Sequence, residues 1–384
     1  MTLSFALTDE QEELRQVVRR FALERVAPAA ESFNRERRFP TELVREMGQM
    51  GLFGLPFAEK DGGMGGDYLS ICLAIEEIGR VDQSLGITLE AAVGLGAMPI
   101  ARFGTPEQRQ RWLPALAQGE QLAGFGLTEP GGGSDAGSLR TTAARDGDEW
   151  VLNGSKQFIT NVGTELSAFV TVAAVVEEGG ERAVTNFVVP TGTAGYTVGP
   201  GYDKVGWHGS DTRQLFFDDC RIPADHQLGE SGRGLANFLE ILSEGRIAIA
   251  ALATGSIQAC VDECVRYASD REAFGRPIGS YQAVAFKIAD MQVQAELART
   301  AYYKAAWLMA EGRDFQQAAS VAKLYASESA VTAAREACQI FGGYGYTTEQ
   351  LVGRLYQDAK ILEIGEGTSE VQRMLIARSL GLPR

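Results

Sequence analysis

The chain has 384 residues, 45% of them hydrophobic, and carries a formal net charge of −14. At about 150 residues per unit that length predicts two to three structural units, and the apolar share suits a globular protein with a sizeable core. The acidic balance excludes nucleic acid as a main partner, because phosphate binding needs a clustered basic surface.

The N-terminal stretch reads as helix from residue 1 to about 121. Thr8 with Gln11 forms a capping box ahead of an amphipathic run, and Thr105, Pro106 and Gln108 repeat the device with proline at the first helical position. Between them the cluster DGGMGGD, Asp61 to Asp67, reads as a loop. Composition changes near residue 122, and residues 122–234 read as a β domain of short strands. Asn153-Gly154 sits between two of these runs and predicts a hairpin turn. Gly131, Gly133 and Ala136 satisfy G-x-G-x-x-G/A, but Thr128-Glu129-Pro130 precedes them where a dinucleotide fold needs a strand. A Rossmann reading is rejected, although a glycine-rich turn can still present N–H groups to a flavin or phosphate. From 235 to 384 the pattern returns to helix. Ile288, Met291, Ala295, Ala298, Tyr302, Ala305 and Met309 recur by threes and fours as the seam of a bundle, followed by an alanine-rich stretch suited to close packing.

Five cysteines without a CxxC argue against a disulfide framework. Cys260 and Cys264 lie one helical turn apart, also a possible metal spacing, but His208 and His226 lie far from them in sequence, so the thiols read as packing residues. Two histidines in all argue against a serine or cysteine hydrolase, which needs an imidazole base. No run reaches the roughly 18 apolar residues of a membrane span. The start MTLSFALTDEQEEL has neither a signal-peptide nor a transit-peptide composition, so the expected location is the cytoplasm, or the mitochondrial matrix if a leader was removed.

The string IGEGTSEVQR, Ile364 to Arg373, sets one carboxylate, Glu366, between Gly365 and Gly367. Neighbours without a Cβ let a carboxylate approach a bound molecule closely, as a general base must. A capped helix start, with Thr368 or Ser369 as N-cap and Glu366 solvated, is the alternative.

Together with LTEPGGGSD (Leu127 to Asp135), KQFITN (Lys156 to Asn161), REAFGRPI (Arg271 to Ile278) and QIFGGYGY (Gln339 to Tyr346), this string resembles the acyl-CoA dehydrogenase family over nearly the whole chain. The resemblance implies an α+β fold: an N-terminal helical domain, a middle β-barrel or sandwich, and a C-terminal four-helix bundle. It implies FAD as cofactor, an acyl-CoA substrate, an electron-transfer flavoprotein as partner and a homotetramer. Phe125, Leu127, Thr128, Gly133 and Ser134 map to the flavin, with Ser134 also toward the thioester. Phe158, Ile159 and Thr160 match the strand whose aromatic packs on the flavin ring. Arg271, with Phe274 and Gln282, corresponds to the arginine that meets the FAD diphosphate, usually from a neighbouring subunit. Gln339, Ile340, Gly342 and Gly343 match the segment near the adenosine, and Thr368 and Glu370 complete the cofactor set. Ser243, Arg246 and Gly367 fall on the substrate side, with serine where many relatives carry aspartate. Some relatives place the base at the position of Gly245, which cannot serve, and Glu244 next to it points about 100° away on a helix. Glu366 is therefore the implied base, removing an α-proton while the β-hydride goes to the flavin. Gly365 replaces an aromatic common in the family. An oxidase, a dehydrogenase of carrier-protein thioesters, and a non-catalytic flavin- or acyl-CoA-binding subunit are the alternatives. The chain's compactness favours short, medium or branched acyl groups.

Overall fold

The structure, a computed structural model, describes residues 6–178 and 180–382. The N-terminal helices are α1 (Asp9–Phe21), α2 (Ala27–Glu36), α3 (Thr41–Gln49), α4 (Tyr68–Gly79), α5 (Gln83–Glu90), α6 (Met98–Phe103) and α7 (Pro106–Ala117). Local chemistry starts several of them. Thr8 and Gln11 cap α1 reciprocally, with Asp9, Glu10 and Glu12 in its first turn and Arg19 and Arg20 in its last, matching the helix dipole. Thr105 and Gln108 cap α7 in the same way, and Asp67 and Asp82 accept the first free N–H groups of α4 and α5. A π-helical segment, Ala91–Ala97, carries α5 into α6.

The strands are β1 (Leu122–Gly126), β2 (Thr142–Asp146), β3 (Glu149–Thr160), β4 (Ser167–Glu178), β5 (Glu181–Pro190), β6 (Tyr196–Val198), β7 (Thr212–Pro223) and β8 (Gln227–Leu228). Among the described residues they form one eight-stranded mixed sheet in the order β6-β7-β3-β2-β4-β5-β8, with β1 pairing parallel to β4. Asn153-Gly154 makes no hairpin turn. It lies inside β3, at a register shift against β7, while the β2–β3 turn falls at Gly147, whose φ is 59°. The asparagine amide is committed to Asp219, donating to its Oδ1 at 3.2 Å and accepting its N–H at 2.8 Å. A Cβ on Gly154 would stand 2.7 Å from Thr141 Cα, so the glycine serves close strand approach instead.

The C-terminal part runs through α8 (Gly234–Asp270), the two-residue strands β9 (Glu272–Ala273) and β10 (Arg276–Pro277), α9 (Gln282–Ala310), α10 (Gln316–Phe341), α11 (Leu351–Leu362) and α12 (Ser369–Ser379). Helices α8 to α11 pack on one another as the bundle. Met291, Ala295, Ala298, Tyr302 and Ala305 of α9 are buried, and Ile288 and Met309 flank them at partial burial. Glu76 of α4 ties the N-terminal helices to the bundle, accepting from Arg299 Nη2 at 2.7 Å and from the Tyr302 hydroxyl. Two helical stretches, Gln83–Phe103 and Gly234–Asp270, are long and apolar enough to cross a membrane despite the polar residues that interrupt them. Their most apolar windows are 89% and 83% buried inside the protein, where they form its core. All five cysteines are free thiols.

Candidate active site

Glu366 sits in the turn between α11 and α12 with φ 53°, a left-handed conformation that costs a non-glycine residue about 1 kcal/mol or more. The surrounding bonds hold it there. Ser369 N–H donates to Glu363 O at 2.9 Å, Thr368 accepts from Val371 N–H as N-cap of α12, and the Gly367 carbonyl accepts from Lys323 Nζ at 2.8 Å and Gln372 Nε2 at 2.9 Å. Gly367 itself has φ 94°, and a Cβ on it would meet Gln372 Nε2 at 2.8 Å. Thr368 thus is the cap that the alternative reading required, yet the carboxylate is not solvated: Glu366 Oε2 is sealed from solvent, receives no N–H among the described residues, and has the Glu90 carboxyl as its neighbour.

Burial pushes the Glu366 carboxyl above its ordinary range, while a hydrogen bond from Glu90, the Lys323 ammonium and the Arg246 guanidinium pull it back. Burial in turn lowers Lys323 to about 8 and pulls Arg246 down. Gly245 of α8 lies directly beneath: a Cβ there would fall 2.3 Å from Glu366 Oε2. A glycine here leaves the space that the Glu366 carboxylate occupies. Glu244, one residue before it, turns away to pair with Arg102 at 2.9 Å, and burial raises its carboxyl to about 7. Ser243 is buried, donating to Leu239 O at 2.9 Å and accepting from Arg246 Nη1 at 3.2 Å, while Arg246 Nε has no acceptor among the described residues.

The first turns of α8 carry the site toward the sheet. Phe238 stacks on Phe125 at 4.0 Å between ring centroids, and Leu127 and Leu242 join the same apolar cluster. The loop after β1 is clasped to β3. Gln157 N–H donates to Thr128 O at 2.8 Å, and the buried Lys156 ammonium reaches Leu127 O at 3.2 Å and Glu129 Oε1 at 2.8 Å. Glu129 also accepts the backbone N–H groups of Arg140 and Thr141. Beyond this clasp Gly133 and Ser134 are exposed, and β3 loses register with β7 between Lys156 and Ile159. At that irregularity Phe158 takes φ 61° and stays 59% exposed beside the Tyr202 ring, while Thr160 is half-buried. The side chains of Leu127 and Ile159 point into apolar clusters, so these two offer a ligand only their backbone.

The remaining implied cofactor residues gather elsewhere, at the far end of α8. Arg271, Phe274, Gln282, Gln339, Gly342 and Gly343 are exposed there, Phe274 at 97%, and Tyr267 stacks on Phe341 at 4.0 Å to join α8 to α10. Ile340 is buried. A Cβ on Gly342 or Gly343 would meet nothing within 4 Å. Glu370 is exposed in the first turn of α12, where Arg373 and Lys360 act on it. From Gly245 to the end of α8 at Asp270 is about 38 Å at 1.5 Å per residue, so one copy of the chain does not bring both groups to one place.

Sequence reasoning missed Glu90, the last residue of α5, which is 1% exposed and faces the same space. A lone carboxylate in the apolar stretch GITLEAAVGLGAMPI was the available signal.

A strained, outward aromatic at a strand irregularity, next to an open glycine-rich loop, fits a planar ring system with attached phosphates. Comparison with known proteins agrees. The acyl-CoA dehydrogenase N-terminal, middle and C-terminal domain families match residues 8–120, 124–220 and 232–381. A probable acyl-CoA dehydrogenase of Bacillus subtilis, YngJ, is 47% identical over 98% of this chain and 100% of its own length. The butyryl-CoA dehydrogenase structure from Megasphaera elsdenii superposes with TM-score 0.95 at 41% identity, covering 98% of this chain and 100% of that one. A chain in a structure of the electron-transferring flavoprotein of Acidaminococcus fermentans gives TM-score 0.95 at 40% identity, covering 98% and 99%. The chain belongs to the acyl-CoA dehydrogenase family. It is an oxidoreductase of that type, and its cofactor is FAD.

Proposed function

We propose that the chain dehydrogenates a short-chain acyl-CoA thioester, with Glu366 as the general base. The observation that carries this reading is the Glu366 carboxyl, sealed at Oε2 and raised by burial, yet held by Lys323 and Arg246 within reach of its ionised form. A carboxylate raised by burial is a stronger proton acceptor than a solvated one, and the two cations favour its ionised form. The α C–H gives its proton to a Glu366 oxygen. The β C–H gives up hydrogen with its electron pair, and a trans-2-enoyl thioester remains. FAD, when bound, supplies the acceptor for that pair. Arg246 with Ser243, and the backbone about Gly367, line the substrate side, while Thr128, Ser134, Phe158 and Thr160 hold the cofactor. The short-chain assignment is supported by the likeness to butyryl-CoA dehydrogenase, and transfer of electrons to an electron-transfer flavoprotein by the Acidaminococcus likeness.

The set at the end of α8 serves a cofactor in a second copy of the chain, an arrangement the homotetramer provides. Supporting it, α9 shows an apolar stripe to solvent, Phe286 at 60%, Val293 at 57% and Leu297 at 52% exposed.

Anaerobic mixing of the holoenzyme with an acyl-CoA series tests the reading. Flavin absorbance is expected to bleach with butyryl-CoA, and Glu366→Gln to slow bleaching by about 10³-fold with FAD retained. Bleaching by carrier-protein thioesters alone, or by no thioester, overturns it.

A further inference from the structure

We propose that Glu90 is a positioning residue for the Glu366 base: its carboxyl keeps a proton and donates it in a hydrogen bond to Glu366, so that Glu366 is the ionised member of the pair before substrate arrives. The proposal rests on the reading of Glu366 as the base.

The geometry comes from two glycines. A Cβ on Gly245 would fall 2.3 Å from Glu366 Oε2 and 3.5 Å from Glu90 Oε1, so the two carboxyls converge over that α-carbon. A Cβ on Gly94 would fall 2.9 Å from Glu90 Oε1 and 3.8 Å from the Tyr68 hydroxyl. Both glycines leave open a slot that any side chain would fill. Within it, both Glu90 oxygens, Glu366 Oε2 and the Tyr68 hydroxyl are shut off from solvent, and apart from one another they have no partner among the described residues. Buried carboxyls without donors are rare and costly, and a proton held between two of them satisfies both.

The groups around the pair decide which one keeps it. Tyr68 and Cys72 face the slot from α4, and burial pushes each of them far up, so both are neutral. The cations stand on the Glu366 side: Lys323 from α10 donates at 2.8 Å to the carbonyl of Gly367, the next residue, and Arg246 follows Gly245 on α8, and both act on Glu366. Glu90 has only burial and the Glu366 charge, both of which push it up. The cations thus sit on the side of the base, and the proton rests on the carboxyl that lacks them. No net proton is consumed: Glu90 holds the same proton before and after Glu366 takes one from substrate.

The test uses the holoenzyme with Glu90→Ala, Glu90→Gln and Glu366→Gln. Loss of the donor raises the Glu366 pKa, so the acid limb of the kcat–pH profile is expected to move up by about one unit in Glu90→Ala, roughly a tenfold loss on the acid side. Glu90→Gln, whose amide can donate, is expected to bring the limb back toward its original place. Independently of turnover, infrared difference spectra of resting parent minus variant at neutral pH should show a protonated-carboxyl band for Glu90→Gln and none for Glu366→Gln, the contribution of Glu244 cancelling in the difference. A limb that stays put or moves down in Glu90→Ala, or a parent-minus-Glu90→Gln difference spectrum with no protonated-carboxyl band, overturns the proposal. If the parent reacts with acyl-CoA and Glu366→Gln does not, that failure leaves the reading of the base intact. A parent that reacts with no thioester sinks both.

Discussion

The two ends of α8 pose opposite problems. Near its start, around Gly245, polar groups are packed so closely that a methyl group would strike a carboxylate, and several buried polar atoms meet no partner. Near its end, around Arg271, the side chains stand in open solvent and added atoms at Gly342 and Gly343 would touch nothing. Under the proposed reading the first region serves the reaction within one chain, and the second is one wall of a site that another copy of the chain completes.

That contrast can be broken from either end. The largest effect is expected from Gly245→Ala, whose Cβ displaces the base: a misplaced base costs about 10²-fold in kcat with FAD binding retained, read by stopped-flow flavin reduction. Arg271→Ala should leave the base untouched and weaken FAD instead, by about 10-fold or more for a lost phosphate contact, read by flavin release on dilution. An equal loss of both properties in either variant would erase the distinction between the two ends. The smallest effect is expected from Lys323→Met. It removes the donor to Gly367 O and a cation that lowers the Glu366 pKa, so the acid limb of kcat should shift upward, with roughly a few-fold loss at neutral pH. In the parent this help is present while Lys323 is charged and fades as pH rises through about 8.

How much of this was legible in the sequence depends on how local the cause is. The capping boxes at Thr8 and Thr105 act over three residues and were read correctly. Asn153-Gly154 obeys a local rule as well, but a partner 66 residues away, Asp219, takes the asparagine amide and keeps the strand continuous. The motif set shows the family, and it singles out Glu366 as the base of the proposed reaction. It did not reveal Glu90, because a carboxylate at the end of an apolar helix has meaning only once Gly245, from another domain, is laid beside it. Gly245 itself read as a residue that cannot act, and its role is the space it leaves. The gathering of Arg271, Phe274 and Gly342 at one end of the bundle likewise needed the helix lengths in three dimensions.

The clasp of Lys156 and Glu129 on the loop after β1 has a consequence for the life of the protein before its cofactor arrives. Five hydrogen bonds, all supplied by the chain, fix the path of Leu127 to Glu129: three from Lys156 and Gln157 of β3, and two from the N–H groups of Arg140 and Thr141 just ahead of β2. Folding itself therefore meets the entropic cost of ordering this stretch, whatever later binds beside it.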